Sequence, residues 1–195
     1  MQFRFESSRN EVSTFTTQQI RDHFLIENIF TEDTIELTYS IYDRMIIGGA
    51  KPVNQTLVLG NPDKLKANFF LERREMGIIN VGGEGKVTAD GEEFEIGKLS
   101  AVYLGKGTEH VSFSSKSTDN PALFYILSCP AHATYPNVKL EKENVITVNM
   151  GTLETSNHRT IYKYIHQEGI QSCQLVMGLT ILEPGSVWNT MPSHV

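Results

Sequence analysis

Five places in the sequence combine reactive residue types at chemically useful spacing. His110 closes the pattern Gly105-x-Gly107-x-x-His110. A strand that ends in such a glycine turn carries the histidine to the start of the next strand. Strand alternation then decides whether the imidazole faces inward, where its lone pair could serve a metal. A lone histidine on a strand is more often a hydrogen-bonded core residue, and His110 is read mainly as structural. Arg73 and Arg74 stand between Glu72 and Glu75, which reads first as an ion-pair cluster. His132 and Tyr135, in the run Pro130–Pro136, are candidate proton carriers. Cys129 beside them has no adjacent Lys or Arg to lower its pKa, which argues against a nucleophilic role. His158-Arg159 and Trp188 complete the set, the first as a candidate lining pair and the second as the chain's single indole.

The elements that must position these groups are mostly short strands. A helix is expected over Thr16–Phe30, with Thr16 or Thr17 as its cap and Ile20, Phe24, Leu25 and Ile29 at helical spacing. From Thr34 to Ile41 the period changes to two, as in a half-buried strand. Further strands are expected at 55–59, 76–81, 86–89, 93–96, 101–104, 111–113, 122–127, 145–148, 160–165 and 174–182. Glycine turns separate them, among them Gly48-Gly49, Gly82-Gly83 and Asp90-Gly91. Asp-Gly is a strong hairpin signal because both central residues of a type I′ turn need positive φ. Many short strands with glycine turns predict an all-β sandwich or barrel.

Composition narrows the function classes. The 195 residues contain 17 Lys+Arg and 23 Asp+Glu, for a formal net charge of −6. An acidic chain lacks the footprint for a phosphate backbone, so no nucleic-acid partner is expected. No apolar run reaches the ~18–20 residues of a membrane span. The opening residues lack the apolar stretch of a signal peptide. Two cysteines, Cys129 and Cys173, cannot build a disulfide scaffold, and a cytoplasmic location is expected.

The stretch Gly85–Gly97 followed by Ala101–His110 resembles a cupin half-barrel, with Gly105-x-Gly107-x-x-His110 matching the second cupin motif. The first cupin motif would supply His-x-His, but here Phe69-Phe70-Leu71 precedes Glu72. These side chains cannot ligate zinc, so the first barrel resembles a cupin that has lost its metal.

A longer resemblance covers nearly the whole chain. Asp43-Arg44-x-Ile46-x-Gly48-Gly49, Phe70–Gly77, Ile79–Gly83, Val102–Gly107, Pro130–Pro136, Thr155–Asn157 and Val187–His194 are collinear with the 5-keto-4-deoxyuronate isomerases. The resemblance implies a bicupin enzyme of pectin breakdown, an aldose–ketose isomerase built as a zinc-dependent homohexamer. It implies a small-molecule uronate substrate, 5-dehydro-4-deoxy-D-glucuronate, converted to 3-deoxy-D-glycero-2,5-hexodiulosonate. It implies His194 as the first histidine of the zinc motif, with the remaining ligands absent from this chain. It makes Trp188 and Arg159 candidate substrate-binding residues, and an arginine fork suits the substrate's carboxylate. No residue is assigned as the catalytic base.

The expected architecture is therefore an all-β cupin jelly roll, a double-stranded β-helix, with an N-terminal helix and an incomplete second cupin barrel. Residues 1–30 form the helical lead-in, 31–135 the first barrel and 136–195 the start of the second, cut at its metal motif. A weak internal repeat agrees: Leu59 precedes Phe69 by ten residues and Leu182 precedes His194 by twelve. The chain is read as a fragment with an incomplete metal site. Two other readings stand beside it, a metal-free uronate-binding module and a structural half that needs a partner chain.

Overall fold

A computed structural model describes residues 1–188. The chain opens with β1 (Gln2–Arg4) and two short helices, α1 (Arg9–Val12) and α2 (Thr17–Phe24). Thr16 caps α2: its side chain accepts from the Gln19 N–H, and Gln19 accepts in return from the Thr16 N–H. The helix stops at Phe24, short of the expected Phe30. Beyond it Asn28 accepts from the Phe30 N–H at 3.2 Å, a local bond that competes with helix propagation. The helix buries none of its residues, and Ile20 and Phe24 remain 43% and 48% exposed.

The strands follow as β2 (Ile35–Ser40), β3 (Ile46–Ala50), β4 (Leu57–Val58), β5 (Arg74–Asn80), β6 (Gly85–Ala89), β7 (Glu92–Ile96), β8 (Ala101–Leu104), β9 (Val111–Ser115), β10 (Phe124–Pro130) and β11 (Val138–Leu140). One sheet has the order β1-β2-β3-β10-β5-β8-β11 and the other β4-β9-β6-β7. Strands β3 to β10 thus divide between two sheets in the orders 3-10-5-8 and 4-9-6-7. That is the double Greek key of a jelly roll, the barrel type of the cupins. The expected Asp90-Gly91 hairpin joins β6 to β7, with φ of 50° and 87° at its two central residues. Gly48-Gly49, expected as a turn, lies inside β3 instead. A Cβ on Gly48 would sit 2.0 Å from the Glu36 carbonyl oxygen, so glycine here serves close packing.

The barrel core follows from strand alternation. Met76 and Ile78 of β5, Val87 of β6, Phe94 and Ile96 of β7, Val102 and Leu104 of β8, and Phe113 and Phe124 meet inside. The Phe113 and Phe124 rings lie 5.4 Å apart. The intervening residues of the large sheet face a second layer. That layer is a three-stranded sheet, β12 (Ile146–Met150), β13 (Arg159–Ile165) and β14 (Met177–Leu182). Ile79, Ala101, Tyr103 and Cys129 pack there against Val145, Tyr164, Ile165, Leu175 and Met177. Because β5 is covered on both faces, all seven of its residues are buried, Arg74, Glu75 and Asn80 included.

Candidate functional site

Of the two expected substrate-binding residues, Arg159 lies at one end of the three-stranded sheet and Trp188 in the segment that follows it. Arg159 opens β13 and pairs in register with Leu182, the last residue of β14. Its guanidinium donates to the Asn157 carbonyl at 3.0 Å. The chain beyond β14 then runs back alongside the 156–158 turn. The Glu183 N–H donates to the His158 carbonyl at 3.0 Å, and the Val187 N–H to the Ser156 carbonyl at 2.9 Å. Trp188 therefore emerges beside this turn, 59% exposed and outside the core. Asn157 fixes the turn from within, accepting at Oδ1 from the Thr152 N–H (3.1 Å) and the Thr155 hydroxyl (2.8 Å). The result is an open edge that carries one guanidinium and one indole. Among the described residues Arg159 has no carboxylate partner. His194, the expected zinc ligand, lies outside the described residues.

The other candidates are dispersed. His110 is exposed in the loop before β9 and does not enter the barrel. It borders a shallow cavity of about 470 Å3 with Phe69 and Phe70, which supply no donor atoms. Arg73 and Arg74 make no ion pair with Glu72 or Glu75, contrary to the cluster expected from their spacing. Strand alternation sends Arg74 and Glu75 to opposite faces of β5. Glu72 instead accepts from the Asn68 N–H (2.9 Å) and Nδ2 (2.7 Å). His132 pairs with Cys173, Nδ1 to Sγ at 3.3 Å. The N–H groups of His132 and Ala133 also donate to that sulfur, at 3.3 and 3.4 Å.

The most heavily bonded side chain among the described residues is Glu75, expected as part of the ion-pair cluster with Arg73 and Arg74. Its carboxylate is fully buried between the large sheet and the loop before β14. One oxygen accepts from the N–H groups of Gln174 and Leu175, both at 2.7 Å, and lies 3.5 Å from the Cys129 thiol. The other accepts from the Tyr103 hydroxyl (2.6 Å) and the Cys173 N–H (2.8 Å). Burial alone would raise its pKa, but the hydrogen bonds from Tyr103, Cys173, Gln174 and Leu175 outweigh that and hold it below 4.5. Burial, with Glu75 close by, pushes the Cys129 thiol up to about 12. With both oxygens engaged, Glu75 ties the second layer to the barrel and has no lone pair left for substrate. Its place directly before the expected strand 76–81, where a strand start can shift by a residue or two, was the available signal for it. Cys173 carried none.

Among the described residues no three His, Cys, Asp or Glu side chains converge to hold a metal ion. Catalytic zinc takes three protein ligands, so the described residues alone do not fit it. No described helix is long and apolar enough to cross a membrane.

Comparison with known proteins adds a lineage to this geometry. The model of the KduI/IolB family matches residues 24–195. A relative from Halalkalibacterium halodurans is 48% identical over 195 residues, 100% of this chain and 71% of its own length. One from Lachnoclostridium phytofermentans is 50% identical over 194 residues, 100% of this chain and 70% of its own. Both bear the name 4-deoxy-L-threo-5-hexosulose-uronate ketol-isomerase. Among solved structures, an IolB-like protein from Salmonella typhimurium LT2 aligns with TM-score 0.48 and 16% identity, covering 61% of this chain and 43% of its own. A cupin protein from Bacteroides fragilis aligns with TM-score 0.33 and 16% identity, covering 47% and 69%. The family match over residues 24–195 and the identity sustained along the whole chain lead to one conclusion: this chain belongs to the KduI/IolB family, an isomerase enzyme family.

Proposed function

We propose that this chain acts in the interconversion of 5-dehydro-4-deoxy-D-glucuronate and its 2-ketose isomer. The observation that carries the reading is identity of 48–50% over 100% of the chain to relatives named as uronate ketol-isomerases. The sheet edge at Arg159 and Trp188 suits the substrate. A guanidinium without a carboxylate partner among the described residues offers a charge-assisted fork to the uronate group, and an exposed indole offers an apolar wall. The reaction moves a hydrogen between adjacent carbons and a proton between their oxygens, which needs a positioned proton carrier. Glu75 is not that carrier, because its lone pairs are already spent.

The reading includes a zinc site in the full-length subunit to which His194 contributes one ligand, an incomplete site in this chain taken alone. It includes a first barrel over residues 31–135 and the start of a second over 136–195, for which the separate β12-β13-β14 sheet is support. It also includes a homohexamer in the cytoplasm. Turnover is tested by incubating the purified chain with the uronate in the presence of zinc and following both sugars by NMR. Interconversion that weakens in R159A, with KM rising more than kcat falls, is expected. Absence of turnover in the presence of zinc would reject the reading for this chain. Metal analysis and native mass spectrometry test the zinc and the hexamer.

A further inference from the structure

Four cations line one cavity on the flank of the barrel, far in sequence from Arg159 and Trp188. Arg44 comes from the turn between β2 and β3, Lys64 from the segment after β4, and Arg73 and Arg74 from the entry to β5. Phe3 of β1 and Tyr39 of β2 supply aromatic walls. The cavity volume is about 370 Å3, and no Asp or Glu lines it. Such a concentration of positive charge is unexpected in a chain with net charge −6.

Arg74 is the central observation. It is only 7% exposed, yet every acceptor it reaches is neutral. Nε donates to the Ser128 hydroxyl at 3.1 Å, and Nη2 to the Ser128 and Arg44 carbonyls at 2.7 Å each. A guanidinium taken from water without a counter-charge is costly, and burial works against its charge. Its neighbours do not supply one. The Arg74 guanidinium lies 5.6 Å over the Tyr39 ring, and Lys64 Nζ lies 4.4 Å over the Phe3 ring. Arg73 donates to the Leu65 and Lys66 carbonyls. None of the four cations forms an ion pair among the described residues. Asp43 and Asp63 adjoin Arg44 and Lys64 in sequence, but neither lines the cavity. The Arg44 carbonyl bonded to Arg74 belongs to a residue held at φ +54°, so the buried guanidinium and the outer arginine are placed as a unit.

We infer that this cavity binds a small oxyanion-bearing ligand, a carboxylate or phosphate on a scaffold of monosaccharide size. The volume falls at the lower end of small-molecule sites, roughly 300–1,000 Å3. The charge favours an anion, and the aromatic walls favour a ring carried with it. This site is separate from the sheet edge assigned to the isomerase substrate and does not depend on that assignment.

Isothermal titration of the full chain with inorganic phosphate, D-galacturonate and neutral D-galactose tests the inference. At least one oxyanion should bind one-to-one, and galactose should not. The R44A/K64A double variant should bind that oxyanion at least about tenfold more weakly, from loss of two cationic partners, while R159A binds it unchanged. Binding of phosphate alone marks a phosphorylated ligand, and of galacturonate alone a carboxylated one. If the double variant does not fold, K64E, on an exposed side chain, makes the same comparison. The inference is overturned if neither oxyanion binds, if galactose binds as well, or if the cavity variants keep wild-type affinity. Loss of binding in R159A alone would also overturn it, while leaving the isomerase reading intact.

Discussion

Replacing Glu75 with Gln measures what holds the second layer to the barrel. The amide oxygen can keep the two N–H bonds from Gln174 and Leu175. The amide nitrogen then faces the Cys173 N–H, donor against donor, and meets the Tyr103 hydroxyl without charge. Two bonds to a charged acceptor are lost at about 1.5–3 kcal/mol each, and a buried N–H is orphaned. The expected loss is about 3–5 kcal/mol, the range seen when one member of a buried charged arrangement is removed. For a chain of this length that lowers Tm by about 6–20 °C, at ~2–4 °C per kcal/mol. Calorimetry of wild type and E75Q gives the number, and hydrogen exchange at Cys173, Gln174 and Leu175 localises it. The pH dependence supplies a second check. The folded carboxyl titrates below its ordinary 4.5, so its contribution is fully present above that value and is lost as pH falls through the lowered one. The gap between wild type and E75Q should be widest above about pH 5 and should close on acidification. A loss under about 1 kcal/mol, or a gap independent of pH, would refute the account of Glu75 as an ionised anchor.

Other perturbations separate the parts of the fold. Iodoacetamide should label the half-buried Cys173 well before Cys129, whose thiol is buried and shifted to about 12; peptide mass spectrometry reads the order, and faster labelling of Cys129 would contradict it. Gly77→Ala places a Cβ 2.6 Å from Met177 Sδ and 2.7 Å from Ile165 Cδ1, so urea unfolding should show a loss of about 1–3 kcal/mol. Thr16→Ala removes a helix cap from an element with no buried residue, so circular dichroism should lose helical signal while the main Tm moves by under about 2 °C.

The legible part of the molecule is the part governed by short-range periodicity. The run Thr34–Ile41 alternates and forms β2; Asp90-Gly91 adopts the positive φ its type permits; Ala101–Leu104 forms β8 over those same residues. Elements whose limits depend on neighbours were less legible. The expected strand over residues 55–59 shortens to Leu57–Val58, and that over 174–182 starts at Met177, because the Gln174 and Leu175 N–H groups turn to Glu75. β1 was unforeseen because three residues carry too little pattern, and it forms only by pairing with β2.

The site divides in the same way. Residue types together with the family resemblance nominated Arg159 and Trp188, and the collinear motifs pointed to the family. Sequence adjacency suggested that Arg74 would answer Glu75. The fold decided otherwise, since neighbours on a strand face opposite sides of the sheet. Glu75 meets a loop about one hundred residues away, and Arg74 turns into a cavity built from β1, β2 and the barrel entry. Charge and periodicity are properties of the chain, and the sequence alone determined them. Which charges share a cavity, and which are left without a counter-ion, is set by long-range strand pairing, and only the tertiary structure decided it.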